Sequence, residues 1–236
     1  MSSDKPLPAW LWVGCGCIGT VGAIVLIVVG LGFWGVQKAR ELSETMANPE
    51  ERTRQALEIL GGDALPEGYH AVMAMSVPLV MEVALLSDAP ADASSPIEVA
   101  GSRGFLYMVL PSFGQADAEI EDFFEGRTQT LSRMQRDQLH VELEERVASG
   151  TITRDGATVR WVGHRGRVLE EGGGQGERGL VTLLSFDCPD SKRRRLGIWF
   201  GPDPALGDPD RPEPFDATVA DPREVAAFIA PLRPCR

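Results

Sequence analysis

The longest apolar stretch of the chain contains no charged residue from Trp10 to Val36. It exceeds the roughly 20 residues that a helix needs to cross the hydrocarbon core of a bilayer. Trp12 and Trp34 lie near its two ends, where indole rings favour the headgroup layer. The pattern therefore predicts a transmembrane helix over residues 10–36, with a short tail (1–9) before it and a juxtamembrane connector (37–47) after it.

Two other N-terminal signals fit the pattern less well. A cleaved signal peptide needs a basic start, but Lys5 is offset by Asp4, and the apolar run exceeds the usual length of about 7 to 15 residues. The nearest pair of small residues, Thr45 and Ala47, lies far downstream. Cys15 precedes the apolar core, whereas a lipoprotein cysteine follows it. We therefore predict an uncleaved anchor.

Small residues recur at every fourth position of this predicted span. Cys15, Gly19 and Ala23 would lie on one helix face and allow close approach of a second transmembrane helix. The sequence thus indicates a candidate helix–helix contact, with another membrane protein or a second copy as the partner.

The membrane orientation of the anchor rests on opposing indications. Lys38 and Arg40 follow the span, while Lys5 precedes it, so the positive-inside rule alone would place the remainder of the chain in the cytoplasm. Two later cysteines, Cys188 and Cys235, and the tendency of short N-terminal tails to stay inside favour export. We expect the N-terminus inside and the domain outside.

The remaining residues, 48–236, have the pattern of one soluble domain. Asn48 is expected to cap a helix that begins at Pro49, and Glu51 completes an Asn-x-x-Glu capping box. Gly61 and Gly62 are expected to end this helix.

Later helices and strands follow from hydrophobic periodicity. Apolar residues at spacings of three, four and seven predict a long amphipathic helix from Ala116 to about Gln138. A Pro/Asp-rich surface loop is predicted at 202–222, and Asp221 is expected to cap a final helix that runs to about Leu232. Alternating or apolar runs predict strands at Ala71–Met75, Leu79–Leu86, Ile97–Ala100, Phe105–Leu110, His140–Val147, Thr158–Leu169, Gly179–Cys188 and Leu196–Phe200.

The predicted fold class is α+β, with an antiparallel sheet packed against a long helix and a C-terminal helix. The capped helix, the motif Leu65-Pro66-Glu67-Gly68-Tyr69 and the following strand, together spanning about 48–75, resemble uncharacterised bacterial single-pass membrane proteins with small extracytoplasmic domains. The resemblance implies an architecture and a location, and it brings no catalytic residue with it.

Composition narrows the classes of partner. The net charge is -11, and the residues after Arg40 sum to -13, because Asp4, Lys5, Lys38 and Arg40 together carry +2. An acidic surface repels phosphate backbones, so we exclude nucleic acid as a partner. Only Lys5, Lys38 and Lys192 among the 23 basic residues are lysines, a bias typical of GC-rich bacterial genomes.

Cys188 and Cys235 are candidates for a disulfide. Cys188 ends a predicted strand and Cys235 follows the last predicted helix, so a bond would fasten the C-terminus to the sheet. The alternative is a pair of free thiols in a reducing cytosol.

The remaining histidines and the basic run are interpreted as structural or surface residues and not as binding sites. His140, Glu142 and Glu144 share a strand face but lack further ligands, so we predict no metal site there. His70 and His164 are expected at the surface or its boundary. The basic run Lys192–Arg195 is interpreted as a solvated turn, with anionic lipid headgroups as the alternative.

No motif names a reaction. Neither Ser102 nor Ser149 lies in a Gly-x-Ser-x-Gly elbow, and Gly172–Gly176 lacks the Lys and Ser/Thr of a phosphate loop. We therefore predict no catalytic, cofactor-binding or metal-binding residue.

The leading hypothesis is a non-enzymatic binding, sensing or scaffolding domain, tethered to the bacterial inner membrane by residues 10–36 and facing the periplasm. Its partners are the bilayer and, in addition, another transmembrane helix or an envelope protein. The alternatives are a subunit of a membrane complex and an enzyme of unrecognised type.

Overall fold

The computed structural model describes part of the chain, all of it within one compact unit between Thr45 and Arg236. The described residues are 48–77, 80–89, 103–112, 115–128, 131–132, 139, 141–168, 178–189, 191–206 and 215–235. No helix among them has the length and apolar character required to cross a bilayer. The predicted span 10–36, with its Cys15, Gly19 and Ala23 contact, lies outside the described residues, as does the predicted strand Ile97–Ala100.

The described elements are α-helices, strands and one short 3-10 helix, Pro204–Leu206. The α-helices are α1 (Pro49–Leu60), α2 (Gln115–Phe124) and α3 (Pro222–Ile229). The strands are β1 (His70–Val77), β2 (Met81–Ser87), β3 (Gly104–Pro111), β4 (Val141–Arg154), β5 (Ala157–Val168), β6 (Arg178–Asp187) and β7 (Arg193–Gly201). The predicted α+β class with an antiparallel sheet is therefore confirmed.

The strands form one seven-stranded sheet in the order β1-β2-β3-β7-β6-β5-β4. Every neighbouring pair is antiparallel, so two meanders meet where β3 pairs with β7. Asp155 and Gly156 join β4 to β5 with φ angles of 50° and 80°, the left-handed pair that a two-residue hairpin turn requires. The edges of the sheet are β1 and β4.

Helices cover both faces of the sheet and define two apolar clusters. On the first face, α1 and α3 pack over Phe105, Trp161 and Trp199, with Phe228 of α3 stacked on Trp199. On the second face, Phe123 of α2 packs with residues of β5, β6 and β7. The layers are therefore helices, sheet and helix.

The first helix has the predicted boundaries and begins at the predicted Asn48 cap. Asn48 Oδ1 accepts hydrogen bonds from the backbone N–H groups of Glu50 (3.0 Å) and Glu51 (3.4 Å). Gly61 ends the helix with a φ of 67°. The Glu51 carboxylate accepts hydrogen bonds from Arg54, which lies on the next turn of the same helix.

The prediction of a long helix from Ala116 to Gln138 is wrong in its length. Helix α2 ends at Phe124, because Gly126 turns the chain with a φ of 76° and Arg127 N–H bonds the Asp122 carbonyl. Leu131, which was assigned to the helix, is buried in a non-helical segment. In the described part of the chain, α1 is longer than α2.

Candidate functional site

The Cys188 and Cys235 sulfurs lie 2.01 Å apart, and their Cα atoms are 5.3 Å apart, which is the spacing of a disulfide. Cys188 follows β6, and Cys235 lies beyond α3 near the C-terminus. The same C-terminal segment is held at a second point, because Arg233 N–H donates to the Leu60 carbonyl at 3.1 Å. The bond therefore connects the end of β6 to a segment that rests on α1.

His164 lies in the interior and not at the surface or its boundary, so that prediction is wrong. Its exposed fraction is 1%, and its ring stacks on Phe123 of α2 with 5.7 Å between centroids. It follows Val162 on the face of β5 that α2 covers, and alternation places their side chains together. Tertiary packing buries a residue whose polarity indicated exposure.

Neither ring nitrogen of His164 makes a hydrogen bond of ordinary geometry with the described residues. Burial lowers the pKa of this imidazole, the nearby Glu144 carbonyl raises it, and the positive charge of Arg146 lowers it. The net shift is downward, so the neutral ring is favoured. A buried neutral imidazole that lacks partners is costly, and such groups call for a structural or functional explanation.

Arg165 and Asp203 form a largely buried ion pair. The Asp203 side chain is only 2% exposed, and one of its oxygens accepts a hydrogen bond from Arg165 Nε at 2.9 Å. Glu145 takes another guanidinium nitrogen, and the Phe215 ring lies 5.3 Å from the guanidinium carbon. Asp203, then Glu145, raise the pKa of Arg165. These contacts make a structural clamp on the segment after β7.

Three of the four basic residues are strand and not turn, which corrects the prediction for Arg193, Arg194 and Arg195, while Lys192 lies just before β7 and is exposed. Arg193, Arg194 and Arg195 belong to β7 and are half-buried. Arg193 pairs with Glu82 at 2.5 Å, and Arg194 pairs with Asp117 at 3.1 Å. Glu82 of β2 and Asp117 of α2 thus neutralise Arg193 and Arg194, while Arg195 donates a hydrogen bond to Ser191 Oγ at 2.6 Å.

Tyr107 lies beneath Arg195 on the first face of the sheet. Its ring is fully buried, and its hydroxyl oxygen makes no hydrogen bond of ordinary geometry in the described structure. Burial raises the pKa of Tyr107, while the charge of Arg195 opposes the rise. Tyr69 differs, because its hydroxyl accepts a hydrogen bond from Trp199 Nε1 at 2.8 Å, and burial raises its pKa to about 12.

The carboxylates considered as metal ligands are engaged by arginines. Glu142 lies 3.3 Å from Arg167, and Glu144 pairs with Arg178. His140 lies outside the described residues. No group of three or more His, Cys, Asp or Glu side chains within the described ranges is arranged to hold a metal ion. His70, by contrast, is exposed as expected.

Apolar side chains, all half-buried except the buried Val83, extend the second face beyond α2, over β1, β2 and β3. Met75 pairs with Val83, which pairs with Met108, so these three side chains form one row across the strands. Met73, Leu85 and Leu106 form the adjacent row by the same pairing. We call these six residues the methionine face.

No protein-family model, curated protein or solved structure matches this chain.

Proposed function

We propose that this chain is a membrane-anchored envelope protein of bacteria whose domain lies outside the cytoplasm and binds or scaffolds a partner at the membrane surface. In this proposal, residues 10–36 are the anchor and residues 48–236 are the tethered domain. The observation that carries the proposal is the Cys188–Cys235 pair.

The cysteine pair supports export by its chemistry. Disulfides persist in oxidising compartments such as the periplasm, whereas thioredoxin and glutathione keep cytosolic thiols reduced. This consideration opposes the positive-inside indication of Lys38 and Arg40, which rests on a small difference in charge. An exported domain that follows an uncleaved transmembrane helix accounts for both the apolar run at 10–36 and the disulfide geometry of Cys188 and Cys235.

A binding role is supported by the methionine face. Methionine is unbranched and polarizable, so its side chain adapts to partners of different shape. Met73, Met75 and Met108 lie half-buried on one face of the sheet, beside β-strand residues that hold their positions. The charged side chains described above are engaged with one another, so the adaptable surface is apolar.

The test uses a full-length chain in which Cys15 and Cys17 are changed to serine, leaving Cys188 and Cys235. Intact cells with a permeabilised outer membrane are treated with a membrane-impermeant maleimide, before and after mild reduction. We expect labelling of both cysteines only after reduction. Labelling that requires lysis of the inner membrane would show that the domain is cytoplasmic and would refute the proposal.

A matched variant distinguishes a protected disulfide from buried thiols. In Cys235→Ser, Cys188 has no partner, and it lies in a partly exposed segment after β6. The exported form of this variant should react with the maleimide in intact cells without reduction. A cytoplasmic form should react only after lysis.

A further inference from the structure

The ring of His164 is enclosed by three elements and is closed from above by α2. On the β4 side it pairs in register with Arg146, and on the β6 side with Val181. Strand β4 has register shifts on both sides of Arg146, between Leu143 and Ala148. The third side is closed by Phe123 of α2, which stacks on the ring at an interplanar angle of 19°.

Protonation would be poorly tolerated at this position. A neutral imidazole has one N–H donor, whereas an imidazolium has two donors and a positive charge. The Glu144 carbonyl of β4 lies near the ring and favours the charged form, but neither ring nitrogen makes a hydrogen bond of ordinary geometry with the described residues, and burial of a poorly paired charge is far costlier than burial of a neutral ring. The folded arrangement therefore selects the neutral ring.

The charged groups around the site do not offset this cost. Arg146 on β4 brings another positive charge, and its guanidinium lies beside Gly126, just after α2. At the end of α2, Asp122 and Glu125 both pair with Arg127, and Glu125 also bonds Arg160 of β5 at 3.1 Å. From β6, Val181 contributes an apolar side chain. The nearby carboxylates are thus engaged with arginines.

Helix α2 is attached by few buried side chains. Among residues 117–124, for which burial is described, Phe123 and Phe124 are buried and Ile120 is half-buried. Its contacts with the sheet include partly exposed ion pairs from Asp117 to Arg194 and from Glu121 to Arg160, and a hydrogen bond from Arg194 to the Asp117 carbonyl. Elements with few buried apolar contacts open at free energies below that of global unfolding. This attachment makes α2 a candidate for local opening.

We propose that α2 is an acid-released latch: protonation of His164 undocks residues 115–128 from the sheet and uncovers the apolar residues beneath Phe123. The inference goes beyond the proposed function, because it depends on the packing of His164 and holds on either side of a membrane. It assigns to the second face of the sheet a closed state at neutral pH and an open state in acid.

The direction of the effect follows from proton linkage. A histidine in the open form titrates near its usual pKa of about 6.5, and the docked form holds His164 neutral below that pH. The docked state is therefore fully favoured above about pH 6.5 and loses stability as the pH falls below it. Between pH 7 and pH 5, the equilibrium constant for opening should rise by about 25-fold if the docked ring stays neutral throughout.

Hydrogen exchange of the full-length protein in nanodiscs tests the latch. After correction for intrinsic exchange rates, protection of residues 115–128 should fall by at least about 10-fold from pH 7 to pH 5. Strands β5 and β6 should keep their protection. Parallel loss across all strands would show global unfolding and overturn the latch.

Two variants separate His164 from other acid effects. His164→Leu keeps an apolar side chain under Phe123 without a titrating group, so acid should leave its protection pattern nearly unchanged. His70→Gln changes an exposed histidine and should behave like the wild type. Acid effects on the carboxylates of α2 are common to all three proteins, so equal acid responses would refute the role of His164.

A measurement on the wild type keeps the inference testable if His164→Leu does not fold. The imidazole Cε1–H resonances of the three histidines report their individual pKa values. The His164 resonance should titrate below the usual histidine range and move together with signals from Phe123. Ordinary titration of His164 with α2 still docked would overturn the inference.

Discussion

Thr182 fastens the segment before α3 to the centre of the sheet. Its Oγ1 donates a hydrogen bond to the Val219 carbonyl at 2.7 Å, and both groups are buried. Gly163, on the neighbouring strand, permits this approach, because a Cβ there would lie 3.0 Å from the Cβ of Ala220. A polar residue inside the apolar cluster thus fixes the position of an irregular segment.

The substitution Thr182→Val should destabilise the domain by about 1 to 3 kcal/mol, because it removes the donor and leaves the Val219 carbonyl buried and unsatisfied. Urea denaturation followed by tryptophan fluorescence would measure the change. Thr153→Val is the matched control, since Thr153 is exposed on β4 and should change stability by less than about 0.5 kcal/mol. Equal effects of the two substitutions would contradict the proposed role of Thr182.

Among the helices, α3 depends on a cap that serves two segments. Asp221 Oδ1 accepts a hydrogen bond from Arg223 N–H at 2.8 Å, and Oδ2 accepts one from Ala217 N–H at 3.0 Å. Ala217 has a φ of 56°, so this contact stabilises a turn in the left-handed region. One carboxylate therefore begins the helix and orders the turn before it.

The substitution Asp221→Ala should cost about 1 to 2 kcal/mol near pH 7. Burial raises the pKa of Asp221, but the backbone donors of Arg223 and Ala217 outweigh it, and the net pKa is lowered. The cap is therefore at full strength above the unfolded pKa of about 3.9 and weakens as the pH falls through the lower folded value. The stability difference between wild type and variant should shrink as the pH is lowered towards 2.

The control for this cap is Asp221→Asn, which keeps an acceptor but cannot ionise. It should retain part of the stability at pH 7 and show no loss from this position in acid. Free energies of unfolding at pH 7, 4 and 2.5 would measure all three proteins. A constant difference between wild type and Asp221→Ala over that range would show that the carboxylate charge does not contribute.

Elements bounded by local signals could be predicted from the sequence. Asn48 and Gly61 bound α1, and the Asp155–Gly156 turn joins β4 to β5, because caps and turns depend on the conformations of a few adjacent residues. The end of α2 was missed, because the apolar spacing continues past Gly126 to Leu131, which is buried without being helical. Periodicity reports burial and cannot alone report a break in the helix.

The candidate sites depend on contacts between segments that are distant in the sequence. For this reason, the pairing of the basic run and the burial of His164 could not be predicted from the sequence. Arg193 meets Glu82 only because β7 inserts beside β3, so the basic run could not be recognised as paired. His164 is buried because α2 returns across the sheet to place Phe123 over it. The one available signal was its position two residues after Val162, on an apolar face of β5.

At the scale of the whole domain, the Cys188–Cys235 bond joins segments that packing also brings together. Their separation of 47 residues encloses β7 and α3, so the bond restricts a large part of the unfolded chain. The contact of Arg233 with Leu60 links the same segment to the end of α1. The first and last helices and the end of β6 are therefore connected near the C-terminus.

Reduction of this bond should lower the stability of the domain by about 3 to 4 kcal/mol through the entropy of the unfolded chain, which corresponds to a fall of about 10 °C in Tm for a domain of this size. Calorimetry of the full-length protein with Cys15→Ser and Cys17→Ser, with and without a reductant, would measure the change in Tm.

The control is the double variant Cys188→Ser and Cys235→Ser, which should melt at the lower temperature in both conditions. In this double variant, α3 and the C-terminal segment should exchange amide hydrogens faster than the strands. Without the covalent link, only packing and the Arg233–Leu60 hydrogen bond hold this segment in place. If reductant left the Tm unchanged while mass mapping showed the bond broken, the constraint would be redundant with packing and the C-terminal segment would be fixed by the apolar cluster alone.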